Sequence, residues 1–325
     1  MALLPCRLSD QGDSMLLRRC LALALAVSLS ATVAADEAQP AHTPSPKELL
    51  AKSQPQEWRT PDPQNLLVMQ LPQGRVLIEL APDFAPLHVA NIRTMAHEHY
   101  YDGLAIVRVH DNFVTQWGDP ASDDEGDKSK LKSLGSAKDR LPPEYTRPYD
   151  AKLPFTALKD GDFYAAEVGF SEGFPVARDK ASQQEWLTHC YGMVGVGRDI
   201  DPETGSGSEL YAVIGQSPRA LDRNIAVVGR VLQGVEYLSG LPRGTGPLGF
   251  YEKPGQRVTI PSVRLAADLP ADQRPHVEVL RTDSATFAAL VDAKRNRLDD
   301  FYRLPVHKVD LCSVSIPVRE AKTSH

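Results

Sequence analysis

The feature that most restricts the fold of this chain is a succession of short apolar runs, each too short for an ordinary buried helix and each bounded by turn residues. Residues 66–69 and 75–80 read as two strands joined through Gln73-Gly74. Residues 104–109 and 113–117 follow, and further runs come at 193–196, 209–214 and 226–231. Residues 258–260 and 263–265 read as one last strand bent at Pro261. The 26 prolines among 325 residues suit many loops and short strands. This pattern predicts a mainly antiparallel sheet or barrel. Pro86 opens a helix in which Val89, Ile92, Met95 and Tyr100 recur at helical spacing, and Tyr101-Asp102-Gly103 stops it. A shorter helix is predicted over 235–241.

The rest of the chain divides around this core. Residues 15–35 carry Arg18 and Arg19, then an apolar run over 20–29, then the small residues Thr32, Val33, Ala34 and Ala35. That order reads as an export signal over 1–35, with Met15 as the natural start because Asp10 and Asp13 do not suit a signal. The run is short for a membrane span, so the expectation is a periplasmic or secreted protein with no stable membrane insertion after signal removal. Residues 36–63, rich in Pro, Ala and Gln, read as a flexible linker. The stretch 121–188 has weak periodicity, and its acidic start at 122–127 lacks the spacing of a calcium loop, so it reads as solvated. The tail, 269–325, reads as a strand at 277–280, a helix capped by Ser284 with Phe287, Leu290, Val291, Leu298 and Phe301 on one face, and a strand at 309–318. Such a unit buries little core alone and is expected to pack on the main domain. Signal removal leaves Cys190 and Cys312, which can pair in an oxidising compartment or remain two buried thiols; the sequence leaves both open.

Several function classes lack their residues. The net charge is −6, with no clustered Lys/Arg stripe, which argues against nucleic-acid binding. There is no HExxH, paired CxxC, GxSxG elbow or phosphate-cradling glycine loop, so neither a metal nor a cofactor is expected. Arg108 stands out, on an apolar strand where an unpaired charge is costly, so it needs a partner or a task. Around it, Tyr101-Asp102-Gly103 precedes Arg108-Val109, then Asn112-Phe113, Gln116 and Gly118-Asp119-Pro120.

This segment resembles the cyclophilin signature Y-x-G-x-x-x-x-R-V-x-x-x-F-x-x-Q-x-G-D-P. Residues 192–198 (GMVGVGR), 207–211 (GSELY) and 221–231, with Leu221-Asp222 ahead of VVGRV, are similar to later blocks of that family. The resemblance spans about 66–265. It implies an eight-stranded closed β-barrel capped by two helices, occupying 64–268 with an insertion at about 121–188. It implies peptidyl-prolyl cis-trans isomerisation of proline-containing polypeptides by a monomer, without cofactor. An X-Pro bond turns over a barrier near ~20 kcal/mol because amide resonance must break. No nucleophile is needed. A guanidinium that donates to the twisted amide nitrogen stabilises the transition state selectively. By resemblance Arg108 is that group and Gln116 holds it. Phe113, Val114, Tyr211 and Leu221 line the proline pocket, with Gly197, Arg198 and Glu209 along the groove. The family pattern is broken at Glu209, where Gln is usual, at Ala220, where an aromatic is usual and one wall would open, at Ile225 and at Gly197-Arg198. Glu209 either pairs with Arg108 and dampens it or orients it. These departures leave open a peptide-binding module or chaperone of the same fold with little turnover.

Overall fold

The computed structural model describes residues 42–122 and 128–321. The export signal, the first residues of the expected linker, most of the acidic run and the last four residues lie outside the described part. Among the described residues no helix is long and apolar enough to cross a membrane.

In chain order, α1 (Pro46–Ala51) and β1 (Trp58–Arg59) precede the hairpin of β2 (Leu66–Leu71) and β3 (Gly74–Leu80); then come α2 (Pro86–His97), β4 (Ala105–Val109) and β5 (Val114–Gly118). The 121–188 stretch carries β6 (Arg147–Pro148), β7 (Thr156–Leu158), β8 (Glu167–Ser171), β9 (Phe174–Asp179) and β10 (Gln184–Leu187). The barrel resumes with β11 (Met193–Val196), β12 (Leu210–Val213), β13 (Val227–Gln233), α3 (Val235–Ser239), β14 (Val258–Thr259) and β15 (Ser262–Leu265). The tail adds β16 (Val277–Leu280), α4 (Ala285–Arg295) and β17 (Val318–Glu320).

The nine barrel strands are ordered β14-β4-β5-β12-β11-β13-β3-β2-β15. β14 and β15 are separated by Ile260-Pro261 alone, yet they pair with opposite edges of the sheet, β14 with β4 and β15 with β2. The sheet must therefore curl on itself, which removes exposed edges. The last strand, expected as one bent at Pro261, is divided there into two, so eight expected strands become nine. Leu67, Met69, Ile78, Val194, Ala212 and Val228 fill the interior, and Val89, Ile92 and Met95 of α2 close one end. The first turn of α2 leaves backbone donors unsatisfied. Glu144 accepts from Leu87 N and His88 N at 3.0 and 2.9 Å, and its carboxylate also meets His88 Nδ1 at 2.6 Å.

The 121–188 stretch, expected as a weakly patterned insertion with a solvated start, contains a five-stranded antiparallel sheet ordered β6-β10-β9-β8-β7. Its periodicity is masked because charges occupy buried strand positions. Glu185 accepts from Arg178 Nε at 2.7 Å and Arg147 Nε at 2.6 Å, and Arg178 and Glu185 are both buried. Phe170 and Trp186 of this sheet join Phe287, Val279 and Leu311 of the tail and Tyr211 and Val213 of the barrel in one apolar cluster.

The expected linker needs correction from residue 42 onward. Ser45 caps α1 in a capping box with Glu48, and β1 pairs with β16 in a three-stranded sheet with β17. The Glu57 carboxylate accepts from Thr286 N at 2.8 Å and Thr286 Oγ1 at 2.7 Å, capping α4. The tail helix ends at Arg295, so Leu298 and Phe301 fall beyond it, and the strand expected at 309–318 forms only at Val318–Glu320, after Pro317. Cys190 and Cys312 are bonded, with Cα atoms 4.8 Å apart.

Candidate active site

Strand register assembles the site. β4 and β5 place Arg108 opposite Gln116, and β5 and β12 place Gln116 opposite Tyr211. A register shift between Ile106 and Arg108 marks an irregularity in β4, of the kind that re-aims side chains. All nine residues predicted for the groove line one cleft of about 1300 Å³. A smaller cavity of about 320 Å³, lined by Arg59, Glu79, Asp83 and Glu172 among others, holds none of them.

Arg108 is fixed from several directions. Its Nε donates to Leu248 O at 2.7 Å, one Nη donates to Gln116 Oε1 at 3.1 Å, and the other lies 3.2 Å from His110 Nδ1. The rings of Phe113 and Phe250 stand 5.4 and 5.3 Å from its guanidinium carbon. Burial lowers its pKa from the usual arginine value, but arginine remains cationic in proteins. Three of its N–H groups are engaged, which leaves one on each terminal nitrogen for a ligand.

Glu209 does not pair with Arg108. Its Oε2 accepts from Gln116 Nε2 at 2.7 Å and its Oε1 from Ser122 Oγ at 2.6 Å. A carboxylate is an acceptor only, so it must face the amide nitrogen of Gln116 and leave the amide oxygen to Arg108. Glu209 thus sets the polarity of Gln116, and Gln116 sets the plane of Arg108. Glycines make this approach feasible: a Cβ on Gly118 would lie 2.6 Å from Glu209 Cγ, and one on Gly197 would lie 3.0 Å from Glu209 Cβ.

Tyr211 presents its ring to the groove and its hydroxyl to the interior. His189 N and Nδ1 both lie 2.9 Å from Asp222 Oδ1, and His189 Nε2 lies 2.8 Å from Tyr211 Oη. The carboxylate fixes the proton on Nδ1, so Nε2 accepts from the tyrosine. Asp222 is held in turn by Arg219 Nε at 2.9 Å, and Arg219 is paired with Asp162 at 2.8 Å. Burial raises the Tyr211 pKa well above its usual range, so the hydroxyl stays protonated.

Sequence reasoning missed Leu248, Phe250 and the His189–Asp222–Arg219 chain. Leu248 acts through its carbonyl, which has no sequence signature. Ala220, expected to open a wall, is exposed, and the groove's lip is formed by Leu248 and Phe250. Arg198 lines the groove, but its guanidinium donates to the carbonyls of Asn224, Asp199 and Ile200.

Residues 66–265 match the family described as cyclophilin type peptidyl-prolyl cis-trans isomerase/CLD. This chain belongs to the cyclophilin-type peptidyl-prolyl cis-trans isomerase family. The crystal structure of cyclophilin AquaCyp293 from Hirschia baltica is similar to it, with a TM-score of 0.65 and 27% identity over 86% of this chain and 99% of that one. That span exceeds the family match, so the likeness extends beyond residues 66–265. A probable peptidyl-prolyl cis-trans isomerase of Brucella suis is 27% identical over 180 residues, 54% of this chain and 71% of the relative. Peptidyl-prolyl cis-trans isomerase ppi1 of Schizosaccharomyces pombe is 43% identical over 61 residues, 19% of this chain and 39% of the relative.

Proposed function

We propose that this chain isomerises X-Pro bonds of exported polypeptides, acting as a monomer without metal or cofactor. The observation that carries this reading is the restrained Arg108 guanidinium, with one free N–H on each terminal nitrogen, in a cleft that also holds Phe113, Val114, Leu221 and the Tyr211 ring. The apolar residues grip the proline ring. As the amide twists, its nitrogen loses resonance, gains a lone pair and becomes an acceptor. Arg108 donates to that nitrogen, a hydrogen bond absent from the planar ground state, and so favours the transition state selectively. No proton leaves and no covalent bond forms.

Export is supported by residues 15–35 and by the Cys190–Cys312 bond, which suits an oxidising compartment. The test is exchange spectroscopy or a protease-coupled assay on an X-Pro peptide. Acceleration in proportion to protein is expected, and a rate equal to the uncatalysed one at saturating peptide would leave only the peptide-binding reading, which the Glu209 substitution first suggested.

A further inference from the structure

Tyr211 lines the groove, yet its side chain is buried, and an O–H buried without a partner is costly. His189, also buried, supplies the acceptor. The two rings lie nearly parallel, 13° apart, with centroids 6.1 Å apart. His189 is clamped in turn by Asp222 Oδ1, which accepts from its N and Nδ1, while Asp222 Oδ2 accepts from Arg219 Nε. Both terminal nitrogens of Arg219 donate to Asp162, at 2.9 and 2.8 Å. Asp162 belongs to the 121–188 stretch, on a loop whose Asp160 is bonded to Arg295 of α4 at 2.7 Å. Cys312 Sγ lies 3.9 Å from Arg219 Nη1, and Cys312 is bonded to Cys190, the residue after His189.

His189, Asp222, Arg219 and Asp162 do not line the groove. A carboxylate accepts only and a guanidinium donates only, so each link fixes the direction of the next. The chain therefore transmits one orientation from the junction of the 121–188 stretch and the tail to the Tyr211 ring. We propose that His189 is a positioning residue for the proline pocket and that Arg219 and Asp162 hold it in place, so that residues outside the barrel set how tightly the groove grips its peptide. This inference rests on the prolyl reading of the groove. The ring touches the proline alike in the planar and twisted states, so a loosened ring costs affinity and leaves the chemical step alone.

The test is steady-state kinetics on an X-Pro peptide with the full chain, together with the Kd of the same peptide by titration. Y211F keeps the ring and removes the hydroxyl, H189F removes the acceptor, and D162N loosens Arg219 from a distance. Each is expected to raise KM and Kd roughly 3- to 10-fold, the range for one lost hydrogen bond, with kcat unchanged. H189Q, which keeps an acceptor for the hydroxyl, is expected to bind like wild type. H189F is expected to add nothing in the Y211F background. Wild-type affinity in Y211F or in D162N would overturn the proposal, and Y211F decides it even where H189F fails to fold. H189Q as weak as H189F, or a lower kcat at unchanged KM, would also overturn it. A wild type that binds the peptide without turning it over would refute the prolyl reading instead, and the Kd series would still test His189.

Discussion

Glu209→Gln separates the two roles open to an acid beside Arg108, the group proposed to stabilise the twisted amide. Glu209 makes a 2.7 Å hydrogen bond to Gln116 Nε2 and another of 2.6 Å to Ser122 Oγ. A charge-assisted bond of this kind contributes about 1.5–3 kcal/mol and a neutral one about 0.5–1.5 kcal/mol, so the substitution removes on the order of 1 kcal/mol of restraint. It also supplies a side chain that can donate as well as accept, so the Gln116 amide loses its single preferred direction and Arg108 loses a fixed acceptor. If that loss falls on the transition state alone, kcat drops about fivefold with KM unchanged. The assay is isomerisation of an X-Pro peptide in four proteins: wild type, E209Q, R108A and the double variant. E209Q is expected to slow the wild type and to add nothing in the R108A background, because Glu209 acts through Arg108. An E209Q enzyme faster than wild type would refute the reasoning, since a carboxylate that dampens the guanidinium would release it on neutralisation.

Other perturbations follow from the same geometry. Gly195→Ala places a Cβ 2.4 Å from the Tyr211 Cζ and Oη; Tyr211 is anchored to His189 and cannot yield, so a stability loss of about 1–3 kcal/mol and a raised KM are expected in denaturant titration and kinetics. Cys312→Ser opens a bridge across a sequence separation of 122 residues and is expected to cost about 2–5 kcal/mol, read as a lower Tm that wild type matches only when reduced. The hydrogen bond from Arg295 holds the Asp160 carboxyl below its usual pKa. Its stabilising contribution is therefore complete above the unfolded carboxyl pKa of about 3.9 and is lost as pH falls through the lower folded value. D160N is expected to be less stable at neutral pH and to lose less Tm than wild type in the acid limb, and parallel Tm profiles would contradict this.

The barrel and the groove were legible because their residues act through side chains at fixed spacing. Arg108, Phe113 and Gln116 lie on one hairpin, where local sequence dictates register, and the short apolar runs mark strands buried on one or both faces. The five strands over 147–187 were not legible because Arg178 and Glu185 stand at buried positions that an apolar pattern would have announced. They neutralise each other only once the sheet forms. The pairing of β1 with β16 joins segments more than two hundred residues apart, and a two-residue strand has no periodicity to read. Leu298 and Phe301 continue the apolar face of α4 in sequence, but the helix stops at Arg295, where the Asn296 cap and the bonds to Thr43 take over. At the site, the Leu248 carbonyl escaped notice for a similar reason: a backbone acceptor can belong to any residue, and only the closed loop brings it to Arg108.

Arg108→Lys tests the central claim most directly. Lysine keeps the charge but cannot donate at once to Leu248 O, Gln116 and a twisted amide through a planar fork. The result expected is a fall in kcat/KM of about 100-fold or more on an X-Pro peptide, comparable to losing one preorganised transition-state donor. Binding of the same peptide by titration should be nearly unchanged. A lysine variant that turns over at the wild-type rate would contradict the assignment of Arg108 as the group that stabilises the twisted bond.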